Sequence, residues 1–572
     1  MKTLHTILFL WLIVFFTACS SLEPKLDPAI SDADLWKDRD FSMGVLNDAY
    51  SQLPAFYTDE FGESLDCATD NAVTNDFSSG VLRMATGGWT ASQNPLNSWK
   101  KCYVQIRNLN KFIEKHASIS FSNDAQKDAA TKKRVKGEAY FLRAWYEFEL
   151  LSRYSGPDGK GKMLGFPIVL TTSEEGTARV SRNSFSECVE RINADIDSSV
   201  LYLPATQYTG ADVVVGATQT GRAYRLSALS LKSRLWLYAA SPAYTVFKTD
   251  AEKKELWEKA ASSASVLMTT LGSLPAITVN GAIYADPAHA EIIWRNYQPD
   301  NNAPERENFI PSRWGNGRIN PSQQLVNAFP MKDGYPTGRS AAYDPAQPYN
   351  NRDNRFTLTV LYNGAAFGTS TVETFNGGKD SESSVFGRAT RTGYYLRKFM
   401  DANVNIDPAL TASTSKHYYA FFRRAEIWLN FAEAANEAWG PEADPLALGR
   451  TAKSALAALR VRAGIAAADP YLTEVAGQGK NAMRDLIQNE RRIELSFENH
   501  RFFDVRRWLL PLAALNQQVE GVEIQKTGSS TYTYTYNKKV ETRNFRDYMY
   551  YFPVPEQEIY TTDGTVTQNI GW

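Results

Sequence analysis

The chain has 572 residues, 62 basic against 63 acidic side chains, a formal net charge of −1, and aromatic residues at 12%. That length supplies a large core, either as several ordinary domains or as one repeat body. The balanced charge lacks the basic face that nucleic acid would call for, so no nucleic-acid partner is expected.

The N-terminus reads as an export signal. Met1 and Lys2 open a short basic start, Ile7 to Phe16 is an apolar run of ten, and "FTAC" brings small residues up to Cys19. Such a run is too short to span a bilayer. A signal ending on a cysteine resembles a bacterial lipobox. That resemblance implies removal of residues 1–18, a lipid anchor on Cys19 and a tether over residues 19–30. No later segment reads as transmembrane. Cys67, Cys102 and Cys188 remain, an odd number for an oxidising compartment, and buried free thiols are the expectation.

Ser31 or Asp32 is positioned to cap a first helix carrying Leu35, Phe41, Val45, Ala49 and Leu53, and Asp32, Asp34, Asp38 and Asp40 suit the positive end of its dipole, with calcium binding the lesser alternative. Strong helical patterns then start at Trp99, Arg134, Phe185, Gly221 and Leu256, and later at Tyr418 and Leu446. Ala432, Ala434, Ala435, Ala455, Ala457 and Ala458 let two of these helices approach closely, as in helix-hairpin repeats of the tetratricopeptide type. Between the helices lie long aperiodic insertions at about 57–97, 295–320 and 333–395, where a rigid scaffold would carry a binding site. Near the C-terminus "TYTYTYNKK" alternates, which puts Tyr532, Tyr534 and Tyr536 on one face of a strand.

"NERRIELSFENHRFFDVRRW", residues 489–508, holds nine formal charges, a histidine and four aromatic rings. Met483, Leu486, Ile493 and Phe497 define a helical stripe that contains Glu490, so this carboxylate points at the core. Arg491, Arg492, Arg501, Arg506 and Arg507 are the nearby cations to meet it, which makes the stretch an ionic skeleton in preference to catalytic machinery. His500 is expected at a helix end, near the last carbonyls.

Chemistry motifs fail on their own terms. "GPDGKGKM" from Gly156 lacks the Ser or Thr of a phosphate loop, since Met163 stands there, and the segment before it is helical. His116, His289, His417 and His500 have no metal spacing, so no metal and no cofactor are expected. No catalytic residue stands out. A glycoside hydrolase needs only two well-separated carboxylates and stays as the remote alternative.

"ERRIELSFENHRFFDVRRW" closely resembles the signature of the SusD/RagB family of outer-membrane nutrient-binding lipoproteins. "GEAYFLRAWYEFELLSRYSG", "NPSQQLVNAFPMKDG", "RRAEIWLNFAEAANEA", "LAALRVRAGI" and "YFPVPEQEI…QNIGW" resemble further family segments in the same order. The resemblance implies a mainly α fold: a tetratricopeptide-like scaffold, long irregular ligand-binding loops and a few short strands. It divides the mature chain into an N-terminal helical region, 31–270, and a C-terminal region, 271–572, with ligand loops and repeat helices. It also implies an outer-membrane protein that takes a glycan, or alternatively a peptide, to a SusC-like TonB-dependent transporter. Only Glu23 and Asp27 follow Cys19 where the family usually has an acidic cluster for surface display.

Sugars stack C–H faces on exposed rings and take hydrogen bonds from Arg, Asn and Asp. Trp99 follows a helix stripe with Tyr103, Ile106, Asn110 and Ile113 and is assigned to the core. Trp89 in "ATGGWTASQNP" and Trp314 in "PSRWGNGRIN" have no such period and are the leading ligand rings. Tyr297, Arg83, Arg313, Asn71, Asp76 and Asn94 complete the candidate site, with Phe367, Phe375 and Tyr394 in reserve.

Overall fold

A computed structural model describes residues 34, 36–58, 62–172, 180–277, 282–383 and 388–572. The expected export signal, Cys19, the expected tether, Ser31 and Asp32 lie outside the described residues. The first half supplies helices α1 (Arg39–Ser51), α2 (Trp99–Lys115), α3 (Ala125–Tyr154), α4 (Phe185–Tyr202), α5 (Arg225–Ala240) and α6 (Asp250–Leu271). The second half supplies α7 (Arg424–Trp439), α8 (Ala452–Arg462), α9 (Pro470–Gln478), α10 (Lys480–Glu494) and α11 (His500–Arg507). The strands that matter for the site are β1 (Ala72–Thr74), β2 (Ile292–Arg295), β3 (Ile319–Pro321), β4 (Ala420–Arg423), β5 (Val519–Lys526) and β6 (Tyr532–Glu541).

Caps set the helix starts. Asp38 accepts from the N–H groups of Asp40 and Phe41, and Ser184 with Glu187, Thr249 with Glu252 and Thr451 with Ser454 form reciprocal capping boxes. α3 begins well before the periodic stretch at Arg134 because Asp124 caps it, accepting from Gln126 (2.9 Å) and Lys127 (3.1 Å). Its first turns are polar and exposed, so no apolar stripe marked them. Helices α2 to α7 pack each on its sequence neighbour, and α7 also packs on α8 and α10. That serial stacking is the architecture of a helix-hairpin repeat, and the chain is mainly α.

The pattern at Tyr418 breaks the helical expectation at its start. Residues 420–423 form β4, antiparallel to β2, before α7 begins. Phe421 stacks on Trp294 at 4.0 Å between ring centres and meets Trp145 edge-on at 5.3 Å. Aromatic packing across the two strands therefore outweighs local helical period. One core runs through both halves, so residue 270, where the two sequence regions were expected to meet, is the last turn of a helix packed on α7. A second small core, with Phe309, Leu361, Phe367, Val372 and Tyr395, lies under the long insertions. The loops thus have apolar support of their own.

Residues 489–508 do not continue as one helix. α10 stops at Glu494, Phe497 (φ 64°) and Asn499 (φ 65°) take left-handed backbone, and α11 follows. His500 consequently opens a helix, with Nδ1 3.3 Å from Arg491 Nη2. Burial, then the charges of Arg491 and other arginines, hold its pKa well below the usual histidine value, which keeps the imidazole neutral.

Glu490 is fully buried, and its cations come from elsewhere than its own stretch: Arg355 and Arg460, the latter at 3.0 Å. Glu494 meets Arg355 (2.9 Å), Arg423 (2.7 Å) and Arg462 (2.6 Å). Burial alone would raise the Glu494 carboxyl, yet Arg462, Arg423 and Arg355 hold it well below the ordinary range. The local arginines serve other partners. Arg491 and Arg507 share Asp504, each at 2.8 Å, Arg492 and Arg501 hold Asp70 at 3.0 and 2.9 Å, and Arg506 donates to the Met549 and Phe502 carbonyls. Cys67, Cys102 and Cys188 are free and buried, and burial pushes the Cys188 thiol up to about 12.

Candidate ligand-binding site

The site begins with a strand pairing that joins distant loops. β1 and β3 run antiparallel, with Val73 opposite Asn320 and Thr74 opposite Ile319. This pairing brings residues 75–79 beside residues 313–318. The Asn75 amide donates to the carbonyls of Asn316 (2.8 Å) and Gly317 (3.0 Å), and Asn75 N–H donates to Arg318 O (3.1 Å). Gly317 is required at its place: φ is +56°, and a Cβ there would lie 2.7 Å from the Tyr395 ring.

Arg391 ties this pair to the C-terminal hairpin of β5 and β6. It donates to Thr74 O and Glu541 Oε2, both at 2.7 Å, and to Val540 O at 3.1 Å. The tyrosines of β6 are half-buried on one face as the alternation required, with Tyr534 edge-on to Tyr349 at 5.6 Å and Tyr532 against Phe375 at 5.7 Å. They anchor the hairpin to the loop core and are not a free ladder.

A cleft of about 320 Å³ opens over these elements, walled by Asn75, Phe77, Asn316, Arg318, Glu382, Arg388 and Arg391 among others. Phe77 is 75% exposed, and the Arg391 guanidinium stands 4.9 Å from its ring centre. An aromatic ring braced by a cation and surrounded by amides and guanidinium groups can stack on a ligand face while polar neighbours donate hydrogen bonds. Arg318 is held by Asp76 and Glu307, both at 2.9 Å. Hydrogen bonds from the Ser78 hydroxyl and amide, and then Arg318, keep the Asp76 carboxyl below its usual value.

The SusD family model matches residues 289–572, and a second model, described as starch-binding and associating with the outer membrane, matches residues 42–236. The chain belongs to the SusD/RagB family. No curated protein matches it. A SusD-like protein from Bacteroides fragilis NCTC 9343 is 25% identical, with 95% of this chain and 99% of that one covered at a TM-score of 0.72. A SusD-like carbohydrate-binding protein from the same source (21% identity, 92% and 99% covered, TM-score 0.68) shares the SusD fold. So does the surface glycan-binding protein A of Bacteroides fluxus (17%, 94% and 100%, 0.61).

Within this SusD fold the residues singled out from sequence scatter. Trp89 is a correction: it is only 2% exposed, set edge-on to Trp572 (4.9 Å) and Phe552 (5.2 Å). Gly87, at φ +76° and with the Asn544 carbonyl 2.5 Å from where a Cβ would be, lets the chain turn in tightly enough to bury the ring. Asn71 is also buried, donating to Asp66 (2.7 Å) and accepting from Arg492 Nε (2.7 Å), so it ties loop to scaffold. Arg313 spans the Phe309 and Phe367 rings and donates to Ala402 O (2.8 Å) and Val404 O (3.1 Å), which makes it part of the small loop core.

Asn94 shapes its own turn by accepting from Leu96 N–H at 2.9 Å. Arg83 is exposed, with its stem against Gly88. Tyr297, 74% exposed, packs on Gly221 and does not wall the cleft. Trp314 is 49% exposed in a left-handed turn (φ 69°), two residues from Asn316. Asp76 reaches the cleft wall through Arg318. Phe367 and Tyr394 are buried.

Phe77 escaped the sequence reading, although "NDFSSG" isolates it from any apolar period by the same logic that drew attention to Trp89 and Trp314. A larger cleft, about 680 Å³, opens between α6, α7 and α10. Its charged groups are paired, Arg484 and Lys480 with Glu437, Lys253 with Asp250, Lys254 with Glu258 and Glu433 with Arg507, and its rings, Trp257 and Trp508, are buried. It presents no exposed ring to a ligand. Among the described residues no helix is long and apolar enough to cross a membrane, and no cluster of His, Cys, Asp and Glu could hold a metal ion.

Proposed function

We propose that this protein is a lipid-anchored nutrient-binding protein of the outer membrane. It captures an oligosaccharide or polysaccharide segment in the Phe77 cleft and delivers it to a SusC-like TonB-dependent transporter. The observation that carries the reading is the exposed Phe77 ring, braced by Arg391 in a cleft of amides and guanidinium groups built on loops. Trp314, half-exposed beside the same loop pairing, extends the surface a longer ligand would touch. Membership in a family of binding proteins and the carbohydrate-binding description of a relative with the same fold support the ligand class.

Binding without catalysis fits the cleft wall. Among the described residues that wall the cleft Glu382 is the one carboxylate, bridged to Lys538, whereas glycoside hydrolysis needs a pair. Cys19 is the anchor in this reading, and a broad face of the scaffold meets the transporter. The test is a glycan array probed with the protein and with Phe77→Ala. Glycan binding that the substitution weakens supports the assignment. Binding of peptides with no glycan bound would replace it with the peptide alternative, and release of reducing ends with ordinary turnover would replace it with the hydrolase.

A further inference from the structure

We propose that the ligand is an anionic glycan, bearing uronate carboxylates or sulfate esters, and that Arg388 receives its negative group. The inference rests on the reading of the Phe77 cleft as the glycan site. Among the described residues three arginines but a single glutamate line that cleft. Two of the arginines are already matched: Arg318 by Asp76 and Glu307, Arg391 by Glu541 and two backbone carbonyls. The glutamate, Glu382, is matched by Lys538.

Arg388 differs. It is exposed, and its Nη1 donates to the neutral Asn316 side-chain oxygen at 2.6 Å. Among the described residues no carboxylate lies within ion-pair distance of it. The adjoining residues 384–387, Ser-Val-Phe-Gly, contain no acid. A guanidinium carries five N–H donors in a planar fork whose spacing suits the paired oxygens of a carboxylate or sulfate, and one bond to an amide leaves most of that fork unused. Asn316 orients the group from the side. Phe77 supplies the stacking face in the same cleft, so ring and charge are positioned for two parts of one sugar unit or of neighbouring units. The volume, about 320 Å³, lies at the low end of ligand pockets, which suits a short acidic stretch of a chain.

A neutral glycan would gain little from an unpaired cation, since sugar hydroxyls are met as well by amides. An anionic one exchanges weak solvation of the guanidinium for a charge-assisted, two-point contact. Selectivity by charge follows.

The experiment is an array of matched oligosaccharides in neutral, uronate-bearing and sulfate-bearing forms, followed by calorimetric titration of the hits at low and high salt. The expected result is binding confined to one or both anionic forms, weakened about tenfold or more by Arg388→Gln and partly retained by Arg388→Lys. The two anionic arms tell carboxylate from sulfate. Neutral forms binding as tightly as anionic ones, or Arg388→Gln leaving anionic affinity unchanged, overturns the inference while the glycan-binding reading stands. No glycan bound in any form, or an acidic peptide bound instead, overturns both.

Discussion

Residues 489–508 and the loop cleft are built from the same materials, arginines and aromatic rings, and use them in opposite ways. In the first, arginines are shut inside the protein and most meet a carboxylate at close range, so charge holds α10 and α11 to the loops and to α7 and α8. In the second, Arg388 faces solvent with a neutral partner and Phe77 lies three-quarters exposed. Burial with full pairing makes an ion a structural tie; exposure with spare hydrogen-bonding capacity makes it a receptor. The comparison also ranks the rings, because Trp89 belongs with the first region and Phe77 with the second.

The sharpest way to break the contrast is at Glu490. Glu490→Ala should leave Arg355 and Arg460 short of a buried counter-charge and destabilise the fold by roughly 3–5 kcal/mol. Thermal melts test it. A variant that melts like the parent but loses ligand would turn the scaffold into a binding site.

Trp89→Ala removes a ring packed between Trp572 and Phe552 and should cost about 3–5 kcal/mol of stability through the cavity it leaves. Affinity of the folded fraction for glycan should not change. A normal melting temperature with weakened binding would restore Trp89 to the ligand surface.

A third prediction concerns pH. Burial, and next the charge of Asp195, raises the Glu147 carboxyl to about 7 against the opposing Arg191 and Arg143, with Tyr103 and Cys188 also close by. The folded protein therefore binds this proton more tightly than the unfolded chain. Its stabilising contribution is full below the ordinary value of 4.5 and is lost as pH rises through about 7. Stability should fall across that window with a slope of up to about 1 kcal/mol per pH unit, and Glu147→Gln should flatten it and melt higher at alkaline pH. Identical pH profiles for the two proteins would remove Glu147 from the account.

The smallest effect on the fold is expected in the loop cleft. Phe77→Ala should change stability by no more than an ordinary surface change, about 0.5 kcal/mol, while weakening glycan binding by roughly 0.5–1.5 kcal/mol, a several-fold loss. Trp314→Ala should weaken only longer ligands. If Phe77→Ala binds every glycan at full strength, the cleft is not the site.

Local pattern determined most of the scaffold helices. Helical period and the alternating tyrosines of β6 depend on neighbours a few residues away, and they foretold most of the repeat helices and the hairpin strand. The buried character of Glu490 was legible for the same reason. Its partners were not: Arg355 and Arg460 arrive from other segments, and the arginines beside it turn to Asp504, Asp70 and Glu433. The proposed ligand cleft was less legible still. Trp89 and Phe77 both stand in aperiodic loops rich in small and polar residues, so nothing local separates them. Tertiary structure decided that the C-terminal Trp572 and Phe552 cover the first, while the pairing of β1 with β3 and the brace from Arg391 leave the second open to solvent. Exposure of a loop ring is set by which distant segment packs over it, and that information resides in contacts hundreds of residues apart.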